Sequence, residues 1–243
     1  MSFLFFPIGL FLAFISVGTL FRSARAYTDT LLKFAQNNNF KFVLPKINEA
    51  KSFWFFVITF MMTPNLIVYK RESFLDEVLK EGIRHKSYFF STDSSGSAYY
   101  VYNLMKGEFD GRKIQIYNYQ FQQSKWFTPV TYCQIFLRRP VESAFYLRPE
   151  NFKYVISNIL ELQDIELEYQ EFNKKYRVKA TNHAFAFQVL DPTLMEELMK
   201  HEKISIMISH DSLIIAQFEE LQPDQILKNL ELGVKIANQI DKK

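Results

Sequence analysis

A chain of 243 residues, 48% of them hydrophobic, has room for one domain with a buried core and for a shorter extra segment. Its net charge of +3, from 29 basic and 26 acidic residues, argues against a nucleic-acid partner because no concentrated basic patch accompanies it. Cys133 is the single cysteine, which excludes an internal disulfide and a thiolate metal cluster.

The first element is the uncharged run Phe3–Phe21, long enough as a helix to cross a hydrocarbon core of roughly 30 Å. Ser16 and Thr19 can bond back to their own helix, and Pro7 falls in the first turn, where a missing N–H matters least. Ala24-Arg25-Ala26 has the form of a signal-peptidase site. However, no Lys or Arg precedes the run and it is long for a cleaved leader, so a retained transmembrane anchor over residues 1–22 is expected. Arg22 and Arg25 follow at once, which places the N-terminus outside an inner (cytoplasmic) membrane and the next residues in the cytoplasm.

Residues 23–72 read as a connector. Ala24 to Phe40 has near-helical apolar spacing and is stopped by Asn37-Asn38-Asn39. Phe53–Tyr69 is a second apolar segment, broken by Pro64-Asn65. As a second span it would carry the rest of the chain across the membrane. As a helix ending near Met62 it would leave that part cytoplasmic, and the interruption favours this reading.

Residues 73–243 then read as one globular domain. Phe74–Arg84 is an amphipathic helix and Thr92–Ser97 a loop. Tyr99–Met105 and Ile114–Gln122 are strands joined through Gly107–Gly111. Pro129–Leu137 and Ser143–Leu147 are two more, separated by Arg138-Arg139-Pro140, and Pro149 opens a helix to about Leu160. Ile165–Ala180 pairs well as a hairpin turning at Phe172-Asn173, with opposed numbers summing to 345. Leu167 then meets Val178, while Glu166 meets Lys179, Glu168 meets Arg177 and Glu171 meets Lys174. Asn182 or Thr181 caps a short helix, Asp191-Pro192 begins another, and Ile204–Ser209 and Leu213–Phe218 form a hairpin through His210-Asp211. A closing helix starts at Pro223. The predicted fold class is α+β: a mainly antiparallel sheet of hairpins with interspersed helices and a C-terminal helix, preceded by the N-terminal transmembrane helix.

Chemistry is sparse in this pattern. His85, His183, His201 and His210 are dispersed, and none has metal-ligand spacing to another. His210-Asp211-Ser212 is contiguous, whereas a catalytic triad is assembled from distant positions. The Gly107–Gly111 segment lacks a phosphate-loop pattern, and Cys133 reads as a small buried hydrophobe. No metal, no cofactor and no catalytic residue is therefore assigned. Candidate contacts for a membrane or a partner are Lys125, Trp126 and Phe127 in an inter-strand loop, Arg138 and Arg139, and Arg22 and Arg25 beside the anchor. For Trp126 the alternative of folding back onto the core stays open.

Several stretches are similar to a group of uncharacterised bacterial membrane-anchored proteins. They are NLMKGEFDGRKI from Asn103, Tyr117-Asn118-Tyr119, LRPE from Leu147, EFNKKYRV from Glu171, and Ala184–Leu190 followed by Pro192 and MEEL from Met195. The likeness runs from about Gly82 to Ile215 and implies an N-terminal membrane segment, with residues 52–70 as extra apolar sequence. It implies no activity. The expected function is a non-enzymatic binding or scaffolding domain at the membrane surface, meeting a membrane protein or an anionic lipid headgroup. The alternative is an enzyme acting on a lipid or envelope precursor.

Overall fold

The computed structural model describes residues 26–43, 99–123, 126–150, 162–201 and 204–242. The run Phe3–Phe21, the segment Phe53–Tyr69, the helix Phe74–Arg84, the loop Thr92–Ser97 and the helix after Pro149 lie outside these residues. Among the described residues no helix is long and apolar enough to cross a membrane.

Helix α1 occupies residues 26–37 and strand β1 Lys41–Phe42. β2 (Tyr99–Phe109) and β3 (Arg112–Gln123) follow, then β4 (Trp126–Pro149) and β5 (Gln163–Ile165). α2 (Gln170–Lys175), β6 (Tyr176–Ala180), α3 (His183–Val189) and α4 (Pro192–Met199) precede β7 (Ile204–Gln217) and α5 (Pro223–Asp241). The seven strands of the described residues form one sheet in which every pairing is antiparallel, and the class is α+β with a C-terminal helix, as the sequence suggests.

The sheet is organised on β4. Within its 24 residues, Thr131 to Leu147 lie along β7 on one edge, while β3 takes the first half of the other edge and β6 the end of the second. The sequence reading divided β4 at Arg138-Arg139-Pro140 and β7 at His210-Asp211, and both divisions are overturned. In each case an irregularity within a continuous strand replaces the expected break. From Phe136 to Phe145 β4 advances nine residues, while its partner advances four, from Ser212 to Ile208. The excess bulges out, which accommodates Pro140 despite its missing N–H. His210, with φ of 54°, is the corresponding kink in β7. It reverses the alternation of the strand. Ile204, Ile206 and Ile208 before it, and Leu213 and Ile215 after it, consequently all reach one core.

α5 covers that core. Ile226, Leu230, Val234 and Ala237 are buried along it, as the sequence stripe predicts. Gly233 lets the helix approach closely, because an added Cβ would fall on Ile135 Cδ1. α1 packs on the same face through Leu31, Phe34 and Ala35, so the described part of the connector contributes to the core of the domain.

Two turns differ from expectation in an instructive way. The β2–β3 hairpin closes on Asp110-Gly111 alone, both residues having positive φ, 49° and 69°. That is the tight turn whose twist suits antiparallel strands. Between β5 and β6 there is no tight turn at Phe172-Asn173. Phe172 instead lies in α2 and is fully buried, since a helical turn can direct the ring inward where a two-residue turn would expose it. The true pairing sums to 343, as in Ile165 with Val178, so the expected register is two residues out. An even slip preserves the faces, and Ile165, Leu167, Tyr176 and Val178 remain buried.

The caps behave as the sequence indicates. Asn182 Oδ1 accepts from the Phe185 N–H at 2.8 Å, and Asp191 Oδ1 accepts from the Leu194 N–H at 2.7 Å. Asp191→Ala is expected to lower stability by about 1 kcal/mol, read as a shift in the denaturant midpoint without a change in slope.

Candidate functional surfaces

The first candidate is the bulge of β4. Arg138, Arg139 and Pro140 are all exposed on it. Both ends are stapled. The Arg138 N–H donates to Asp241 Oδ2 at 3.4 Å. At the far end the Ala144 N–H donates to Thr181 Oγ1 at 2.8 Å, the Thr181 N–H returns to the Ala144 carbonyl at 2.9 Å, and Asn182 Nδ2 donates to Ser143 Oγ. The two guanidinium groups therefore project from a backbone held at both ends. Glu142 is the acidic residue exposed beside them.

Arg112 lies beneath this bulge, and no local sequence pattern points to its role. Its Nη2 meets Asp241 Oδ2 at 2.6 Å and Asn238 Oδ1 at 2.7 Å, and its Nη1 donates to the Phe136 carbonyl. The pair is buried, with side-chain exposures of 0% for Arg112 and 10% for Asp241. A cation against the last turn of α5 also suits the negative end of the helix dipole.

A second polar cluster fixes the start of α1. Tyr27 Oη donates to the Leu221 carbonyl at 3.0 Å and accepts from Asn118 Nδ2 at 3.4 Å. Asn118 Nδ2 also donates to Thr131 Oγ1 at 2.9 Å, and Thr131 in turn donates to the Glu219 carbonyl at 2.7 Å. Asn103, left-handed in a β2 irregularity with φ of 55°, donates to Asn118 Oδ1 at 3.2 Å. Burial raises the Tyr27 phenol pKa, so the group stays a neutral donor. These bonds tie α1, β2, β3, β4 and the segment before α5 together.

A shallow groove of about 790 Å³ runs between the β2–β3 turn, the start of α4 and the outer side of α5. Four of its polar groups are engaged with residues outside it. Asp191 caps α4, Asn238 holds Arg112, Lys235 pairs with Glu197, and Gln239 donates to the Gln188 carbonyl.

The remaining candidates are dispersed. Trp126 and Phe127 begin β4, opposite Gln123 and Gln122 of β3. Lys125, Arg22, Arg25 and His85 lie outside the described residues. His183 starts α3, His201 follows α4 and His210 stands in the β7 kink, three separate places in the fold. Desolvation lowers the His201 pKa, which favours its neutral form. His210-Asp211-Ser212 runs along a strand, and Ser212 Oγ accepts from Gln134 Nε2. Among the described residues no group of three or more His, Cys, Asp or Glu could hold a metal ion. Burial pushes the Cys133 thiol up to about 12, which leaves it an unreactive core group.

In the stripe Lys175, Arg177 and Lys179, the last two are paired with carboxylates, though not with those expected. Arg177 meets Glu150 at 3.5 Å rather than Glu168, and Lys179 meets Asp164 at 3.6 Å rather than Glu166. Lys175 donates to the Met199 carbonyl at the end of α4, and Glu171 and Lys174 do pair, within α2.

The class to which this arrangement is similar is a family of proteins of unknown function, DUF3137, whose model matches residues 138–238, from the β4 bulge to the last turns of α5. No curated protein matches the chain. Among solved structures the fold is similar to that of the mycobacterial trehalose monomycolate transport factor A, TtfA. The TM-score is 0.55 at 13% identity, over 90% of this chain and 94% of that one.

Proposed function

We propose that this protein is a membrane-tethered, non-enzymatic accessory factor whose domain holds a partner at the membrane surface. The observation that carries the reading is the β4 bulge. Exposed cations on a loop whose backbone is held at both ends are arranged for recognition, since little backbone entropy is lost when a partner binds. The apolar run Phe3–Phe21 supplies the tether. The fold shared with TtfA, a transport factor by name, supports an accessory role in handling envelope material. Among the described residues, His183, His201 and His210 stand apart in the fold and lend nothing to the enzyme alternative.

The test is a photocrosslinking residue in place of the exposed Glu142, beside the two arginines, in the full chain within native membranes. One discrete adduct is expected, and Arg138→Glu with Arg139→Glu should abolish it by reversing the charge. Turnover of a lipid substrate by the purified protein, with no adduct formed, would reject the reading.

A further inference from the structure

The bulge of β4 has a neighbour, because α3 lies beside it and is held at both ends. Asn182, the N-cap of α3, donates to Ser143 Oγ at one end of the bulge. Six residues on, about 9 Å along the helix, the Gln188 carbonyl accepts from Gln239 Nε2 in the last turns of α5. Asp241, in the same stretch of α5, receives the Arg138 N–H at the other end of the bulge. Helix and bulge therefore run side by side between common anchors. The inner side of α3 enters the core through Phe185, Ala186 and Val189. Its outer side carries His183, Ala184 and Phe187, all exposed. Phe187 is 51% exposed, and the His183 ring stands 6.5 Å from it. A solitary aromatic in water is ordinary by itself. One fixed beside a pair of exposed guanidinium groups is the combination of anchor and charge that binding surfaces favour.

We infer that Arg138, Arg139 and Phe187 form one composite docking surface whose occupant is an acidic segment of a partner protein. That segment carries an apolar side chain for Phe187 about 10 Å from its carboxylates, the length of α3 beside the bulge. The inference rests on the reading of the bulge proposed above and names the chemistry of its partner. Charge decides between this occupant and a bilayer. Around the surface Arg138, Arg139 and Lys242 are offset by Glu142 and Asp211, three cations against two carboxylates, which leaves one net positive charge. An anionic bilayer contributes about 1 kcal/mol per nearby cation and calls for a cluster of about four to eight. Carboxylates placed one by one on a protein segment can instead meet each guanidinium in a bidentate pair while avoiding Glu142.

The test places a photocrosslinking residue at the exposed Ala184 and, in a separate chain, at Glu142, each in the full protein within native membranes. Both positions should give an adduct of the same mass. Tandem mass spectrometry should locate both crosslinks in one protein segment that holds at least two Asp or Glu and a large apolar residue. Phe187→Glu should lower the yield of the Glu142 adduct about fivefold or more, whereas Phe187→Leu should keep over half of it. Loss with both substitutions or with neither, a crosslinked segment without carboxylates, or a lipid adduct at Ala184 overturns the composite surface. An adduct at Glu142 with none at Ala184 removes this extension and leaves the bulge as a binding site. No adduct at either position removes the reading beneath it as well.

Discussion

Arg112→Met should destabilise the domain by about 3–5 kcal/mol, the usual consequence of removing one partner from a buried ion pair. The reason lies in what remains. Asp241, 10% exposed, would keep its charge with its guanidinium gone, Asn238 would lose two donors, and the Phe136 carbonyl another. Methionine fills much of the volume, so the loss reports electrostatics rather than a cavity. A denaturant titration of the full chain in detergent should show the midpoint falling. Adding Asp241→Leu should restore part of the loss, because the orphaned charge is then removed as well. A single substitution that left the midpoint unchanged would show that the pair is not buried as described.

A comparable loss is expected from Phe145→Ala. Phe145 is fully buried where three strands meet, opposite Ala180 of β6 and Ile208 of β7. The ring is the first inward side chain after the bulge. The cavity left by its removal would lie between both halves of β4, where neighbours held by two ladders relax little. Truncation of a buried Phe costs about 3–5 kcal/mol. The same titration should show it, and Phe145→Leu should recover more than half. Equal losses for Ala and Leu would point to a strand that had rearranged instead of a simple cavity.

The sequence revealed the elements better than their connections. Alternation in β3, the caps Asn182 and Asp191, and the stripe Ile226, Leu230, Val234, Ala237 are local signals, and each element formed where its pattern lay. Continuity was misread in two places for one reason. Arg138-Arg139-Pro140 and His210-Asp211 carry turn chemistry, and the inward positions change parity across His210. Locally, a bulge and a turn look alike, and only the partner strand distinguishes them. The β5–β6 register failed by two residues because charge pairing and face alternation are both satisfied by an even slip. Arg112 was invisible because its partners lie more than 120 residues away in α5. The arginine pair at the bulge was legible as composition, whereas its fixed presentation depends on Thr181 and Asp241, which no local pattern connects to it.

The long β4–β7 ladder bears on the order of events during synthesis. Leu147 must wait for Ile206, and Thr131 for Gln217, so the spine of the sheet cannot close until Gln217 has left the ribosome. The apolar N-terminal run emerges well before then. If that run is the tether proposed above, its capture by the insertion machinery would precede closure of the sheet, and the domain would complete its folding beside the lipid surface.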